Sequence, residues 1–341
     1  MKVDSPNPDK PIIVAIIANS IIAISKGIGY FFSGSNALLS ETIHSIADVM
    51  NQSLLLLGIK RGKKEENDLL NYGYSQERFF WNLISAMGIF VLGCGVTVYH
   101  GFHELLSNHE YKEKGSEQII IILILVISFV VEVFSLRVAL NEIKLEAKSR
   151  NKNLFDYLRD SIDPSVSAVF WEDAAALFGI GLALIGIILT EITKSNTFDS
   201  VASILIGLLM GWIAYHLASE NKKFLVDRSI PQHEMNQIFG VLKSNKNIKS
   251  FDNVKTVVLG PDRLKIRMDI DLDIDLIYKP EIDSLLVELK NNGFKDMPVD
   301  KVRAIIKEYN HTTNLARTKT NKEITKSLVD QLPNLKHIDI I

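Results

Sequence analysis

The sequence predicts an α-helical membrane protein in which six transmembrane helices precede a small soluble α+β domain. Three observations predict it. Apolar residues make up 47% of the 341 positions, and the long apolar runs are confined largely to the first two thirds. Six of those runs reach the roughly 20 residues that a helix rising ~1.5 Å per residue needs to cross a ~30 Å hydrocarbon core. From about Asn221 onward the pattern changes to short alternating and amphipathic segments. The division places a membrane domain at 1–220 and a soluble domain at 221–341.

The six spans are approximately Ile12 to Phe32, Ala37 to Ile59, Phe79 to Leu106, Gln118 to Leu140, Val166 to Leu189 and Phe198 to Ala218. Short connections at Gly34-Ser35 and at Lys194 to Thr197 separate the first and third pairs. Lys and Arg in short loops mark the cytoplasmic side. The N-terminal segment, the second connection and the fourth carry twelve of them between Lys2 and Arg159, against Lys112, Lys114 and Lys194 on the other side. Both termini are therefore expected in the cytoplasm. The N-terminus lacks the compact basic region and small-residue cleavage site of a secretory signal, so the first run is read as mature structure. It also lacks an Arg- and Ser-rich transit peptide, which favours a plasma (inner) membrane.

In the soluble part, Pro231 to Leu242 fits an amphipathic helix, and Val254 to Leu259 with Leu264 to Ile274 fits a β-hairpin about Gly260-Pro261-Asp262. Glu281 to Lys290 and Val302 to Tyr309 are further helical candidates, and Leu335 to Ile341 a last strand. Asp269, Asp271, Asp273 and Asp275 alternate with apolar residues at strand period, which reads as one solvated sheet face.

Several function classes are excluded early. A net charge of −2 gives no electrostatic reason for nucleic-acid binding. The single cysteine, Cys94, allows neither an intrachain disulfide nor a multi-cysteine zinc site. Nothing resembles a phosphate-binding loop for ATP, and no enzyme chemistry is expected.

Charged side chains inside a span cost roughly 2.5 to 3.5 kcal/mol each on insertion scales, so each demands a reason. The second span reads Glu41-Thr-Ile-His44-Ser-Ile-Ala-Asp48-Val-Met-Asn51. His44 and Asp48, four apart, share one helix face and could bind one small cation. The fifth span carries Glu172 and Asp173, which point about 100° apart, beside Ala174, Ala175 and Ala176, whose small side chains permit close helix contact. If the two spans pack together, an imidazole nitrogen and carboxylate oxygens make a site of three or four ligands. Such a site suits zinc and tolerates manganese or iron. The alternative is that these groups hydrogen-bond neighbouring helices or sit at the membrane surface. Lys26, Glu41 and Glu132 are expected to pair, line a pore or snorkel, since a charged lysine is no ligand and the two glutamates are isolated.

Gly34-Ser-Asn-Ala-Leu-Leu-Ser-Glu41-Thr-Ile-His44-Ser-Ile-Ala-Asp48 resembles the second-helix signature of the cation diffusion facilitator (zinc transporter) family, where His or Asp and then Asp four later bind the transported ion. Tyr72-Gly73-Tyr74 with Glu77-Arg78 resembles the opening of that family's third helix, and Leu225 to Ile230 with Val254-Lys255-Thr256 its cytoplasmic domain. The resemblance implies six helices, a ferredoxin-like C-terminal domain, a homodimer, and export of Zn2+ or another divalent cation against protons by alternating access, with no cofactor. The family's fifth helix usually reads His, three residues, Asp. Aligned on Gly179, Glu172 takes the first position, Ala176 the second, and Asp173 is an extra carboxylate. That Glu-Asp variant resembles the branch found in animal mitochondria and its bacterial relatives. The expected metal site is thus His44, Asp48, Glu172 and Asp173, with the choice between the last two open. His337-Ile338-Asp339 resembles a ligand pair of the cytoplasmic domain, but the positions that would add histidines read Phe251 and Met268, so His337 is expected to be structural.

Because ligands must be deprotonated to bind, metal uptake should release protons and proton entry should expel the metal. His44 is the natural carrier, an imidazole's unperturbed pKa being about 6.5. Two competing readings remain. A non-transporting metal sensor or scaffold would bind without flux, and a carrier mainly for manganese, iron or cobalt would share the ligands. An organic-cation carrier would want an aromatic cavity, for which Trp171 is the only hint.

Overall fold

The computed structural model describes residues 9–33, 36–107, 116–149, 153–154, 157–158, 164–261, 263–273, 283–284, 286–287, 290–291 and 298–340. The chain divides into two compact units, Met1–Val226 and Asp227–Ile341.

The first unit is a bundle of α1 (Asp9–Ser33), α2 (Asn36–Gly62), α3 (Glu77–Leu106), α4 (Ser116–Ser149), α5 (Pro164–Thr193) and α6 (Thr197–Leu225). Lys194, in left-handed backbone at φ 52°, follows the end of α5, the conformation that commonly terminates a helix. Asp199 in the first turn of α6 and Lys222 and Lys223 in its last match the helix dipole. Among the described residues five of the six helices are long and apolar enough to cross a membrane. The exception is α2. It carries Glu41, Thr42, His44, Ser45, Asp48, Asn51 and Gln52, all buried, and it packs against α1, α3, α5 and α6. A helix surrounded by other helices can hold polar residues that a lipid-facing one cannot.

Close approach between helices needs small residues. A Cβ on Gly101 of α3 would stand 3.1 Å from backbone atoms of α6, and one on Gly207 of α6 would stand 3.0 Å from the backbone of Val98. Over Ile89–Val96, α3 loosens into a π-helical turn, a feature frequent at functional sites.

The apolar core falls into two main clusters, one nearer each end. One gathers Ile12, Leu55, Ile59, Ala139, Val169 and Leu217, from the start of α1 and α5 and the ends of α2, α4 and α6. The other gathers Leu38, Ile121, Leu125, Ile187 and Ile206, from α2, α4, α5 and α6 nearer their opposite ends. Between them lies a layer of buried polar groups: Lys26, Glu41, His44, Asp48, Glu132, Glu172 and Asp173. On α4 the order Leu125, Ser128, Glu132, Ser135, Ala139 runs from one cluster through the layer to the other along one face.

The second unit runs α7 (Gln232–Ser244), β1 (Ile248–Gly260), β2 (Arg263–Leu272), α8 (Val299–Gln331) and β3 (Leu335–Ile340). The hairpin forms where the turn signal predicts, with β1 and β2 antiparallel. Asn253, at φ 51°, sits in a bulge of β1. β3 lies parallel to β2, which requires the crossover that α8 supplies. Among the described residues this is the ferredoxin-like β-α-β-β-α-β order without its first strand. α8 runs to 33 residues where the sequence suggests only Val302 to Tyr309, because its long surface is mostly polar and its buried anchors, Ile324 and Leu328, come late. Half of the Glu281 to Lys290 candidate lies outside the described residues, and its described positions are helical. On β2, Leu264, Ile266, Met268 and Ile270 are buried, while Asp269, Asp271 and Asp273 take the other face. Asp275 is outside the described residues.

Candidate metal site

His44 and Asp48 sit one turn apart on the buried face of α2, each 3% exposed. Their spacing brings His44 Nε2 to 3.1 Å from Asp48 Oδ2. Glu172 of α5, also 3% exposed, faces them across a small cavity. The cavity is lined by His44, Asp48, Glu172, Ile89, Ala175, Met210 and Ile213 and has room for roughly one water-sized particle. Three potential ligands thus meet apolar walls from α3, α5 and α6, and Ile89 comes from the π-helical turn.

One side of Glu172 is fixed. Asn51 Nδ2 donates to Glu172 Oε1, and Ser85 Oγ of α3 donates to Asn51 Oδ1. Glu172 Oε2 and His44 Nδ1 are buried with no hydrogen-bond partner, and Asp48 Oδ2 meets only the His44 imidazole. Buried polar atoms are rarely left so, because desolvation without a new bond costs free energy. Among the described residues, however, no three His, Cys, Asp or Glu side chains stand close enough to hold an ion as they are. The donor set has the right chemistry, and its members would have to draw together around a cation.

Asp173 points elsewhere. It is 1% exposed and accepts a hydrogen bond from Ser135 Oγ of α4 at 2.7 Å. Adjacent helical positions diverge by about 100°, so one carboxylate faces α2 and the other α4. Of the four residues singled out in the sequence, the structure brings His44, Asp48 and Glu172 to one cavity and places Asp173 outside its lining.

Lys26 and Glu41 pair, with Nζ 2.7 Å from Oε2. Glu132 is fully buried, and neither carboxylate oxygen has a hydrogen-bond partner. Trp171 packs edge-on against Phe170 and His216 and does not line the cavity. In the second unit, Asp339 engages Lys265 at 3.1 Å, Met268 is buried in the sheet and Phe251 stacks on Phe239.

Sequence reasoning missed Asn51, Ser85 and Ser135. Asn51 had a usable signal, since it follows Asp48 by three residues on the same helix face. The serines had none beyond being polar in an apolar helix.

Residues 12–226, more than half of the chain, match the cation efflux transmembrane domain family. The mitochondrial proton-coupled zinc antiporter SLC30A9 of Xenopus laevis is 28% identical over 335 residues, covering 98% of this chain and 59% of that protein. The human counterpart is 28% identical over 338 residues, covering 98% and 58%. Metal tolerance protein C4 of Arabidopsis thaliana is 26% identical over 348 residues, covering 100% and 74%. The chain spans about three fifths of the length of these zinc antiporters. Five long apolar helices, a polar layer at their middle with α2 at its centre, and a family match along the whole bundle lead to one assignment: the chain is an integral membrane member of the cation efflux, or cation diffusion facilitator, family.

Proposed function

We propose that this chain is a secondary transporter that exports a divalent metal cation, zinc before manganese, iron or cobalt, in exchange for protons. The observation that carries the reading is the buried cavity where His44, Asp48 and Glu172 meet and two ligand-capable atoms, Glu172 Oε2 and His44 Nδ1, lack partners. One imidazole and two carboxylates form a mixed N/O set suited to zinc. The names of the relatives, proton-coupled zinc antiporters and a metal tolerance protein, support the same reading.

In the cycle we propose, a cation entering the cavity displaces the His44–Asp48 contact and draws in Glu172 through its free Oε2. The ligands bind it only when deprotonated. Protons arriving from the opposite side occupy the same atoms and release the metal there. Asn51 keeps Glu172 on the cavity side of α5 throughout. Residues 1–226 form the carrier and 227–341 a cytoplasmic domain, the last turn of α6 carrying the helical unit past the 220/221 division expected from the sequence. The protein works as a homodimer in a plasma (inner) membrane, with both termini cytoplasmic as the twelve-to-three distribution of loop Lys and Arg favours.

The test is uptake of radioactive zinc into proteoliposomes under an imposed pH gradient, comparing wild type with Asp48→Ala and Glu172→Ala. Gradient-driven flux that both substitutions abolish is the expected result. Metal binding without flux in the wild type would replace the carrier with a metal sensor or scaffold, and competition by manganese, iron or cobalt identifies the preferred cargo.

A further inference from the structure

The polar layer contains a charged group that does not line the cavity. Lys26 of α1 is fully buried, with Nζ 2.7 Å from Glu41 Oε2 and 3.1 Å from Ser45 Oγ of α2. A lone ammonium at this depth would be expelled, so its presence needs a partner and a use. Glu41 is fully buried too, and its second oxygen, Oε1, has no hydrogen-bond partner. That oxygen lies against α5, where a Cβ on Gly179 would stand 3.0 Å from it. The pair therefore bridges α1 and α2 and closes on α5.

Its position relative to the cavity follows from helix order. Asn51 meets Glu172 and Glu41 meets Gly179, so α2 and α5 run antiparallel. Glu41 precedes His44 by three residues, about 4.5 Å along the axis, toward the end where α1 finishes and α2 begins. Gly179 is displaced from Glu172 in the same direction. The ion pair thus stands between the cavity and that end of the bundle, while the neutral Asn51–Ser85 link stands on the other side. While the pair is closed the lysine occupies the Glu41 carboxylate, so that end of the cavity offers a passing cation no free negative charge to replace its water.

We propose that the Lys26–Glu41 ion pair is the gate at the α1–α2 end of the metal cavity, closing that exit to the cation until the two side chains separate. The proposal rests on the carrier reading above. Opening withdraws the ammonium and frees the Glu41 carboxylate to meet the departing ion.

The test uses the full chain in sealed vesicles, with Cys94→Ala as background and Ala175→Cys as a reporter inside the cavity. An impermeant methanethiosulfonate reagent is applied from each end in turn. Lys26→Met combined with Glu41→Gln should speed labelling from the α1–α2 end by about tenfold or more, a modest population shift between closed and open states, and leave labelling from the other end unchanged. Lys26→Glu combined with Glu41→Lys keeps both charges and should restore the wild-type rate. Unchanged labelling in the neutral variant, an equal rise from both ends, or an exchanged pair as open as the neutral one would each overturn the gate. Labelling needs no metal flux, so failure of the carrier reading in the zinc assay is distinguishable from failure of the gate.

Discussion

Two turns of α2 hold charge in opposite ways. At Glu41 the carboxylate has a resident cation, Lys26, at 2.7 Å. Two turns later, Asp48 shares a cavity with Glu172 and meets the imidazole of His44 at 3.1 Å, while Glu172 Oε2 has no partner. Both regions are buried at the same level of desolvation. The difference is whether the protein supplies the countercharge itself. A buried carboxylate with its own lysine ties helices together, whereas a pair of carboxylates without one is stable only with protons or a metal ion.

The comparison breaks most completely at Glu172. Glu172→Ala should lower metal affinity by more than about 100-fold, because losing a ligand exceeds the loss from disturbing its support; calorimetric titration with zinc measures it, and near-normal binding would remove Glu172 from the site. At the other turn, Lys26→Met should cost about 3–5 kcal/mol of stability by leaving Glu41 charged and alone, and adding Glu41→Leu should recover most of it. Thermal unfolding in detergent reads both, and a single variant as stable as the double would mean that the ion pair is not what holds these helices.

Smaller effects sharpen the contrast. Asn51→Ala frees Glu172 from its support and should weaken metal binding by about 10–100-fold with Glu172 still present. Protons compete for the same atoms, so wild-type affinity should be highest at alkaline pH and fall as pH drops. In His44→Ala the plot of log affinity against pH should be shallower by one proton, and an unchanged slope would show that His44 stays unprotonated through the cycle. Asp173→Asn, which keeps a hydrogen-bonding partner for Ser135, should alter zinc affinity only a few-fold. A loss as large as that of Glu172→Ala would return Asp173 to the ligand set.

Much of this was legible from residue order. The hairpin of β1 and β2 is announced by Gly260-Pro261, and the alternation on β2 places its aspartates and its apolar residues on opposite faces. His44 and Asp48 are legible as neighbours because helical spacing is local. α8 was only partly legible, since a long polar helix has little periodicity to read. Lys26 and Glu41 could be suspected of pairing but not assigned to each other, because the contact joins residues fifteen apart on separate helices.

By itself the sequence determined the number of long helices, the switch to an α+β domain, and the presence of an uncompensated polar set in the second and fifth spans. Those follow from hydrophobic length and local periodicity, which any segment carries within itself. Tertiary structure alone decided that Glu172 and not Asp173 faces His44 and Asp48, that Asn51 and Ser85 hold it there, and that Lys26 neutralises Glu41 one turn before His44. Each of these depends on the rotation of one helix about its axis relative to its neighbours. Packing against several helices at once sets that rotation, and no single segment encodes it.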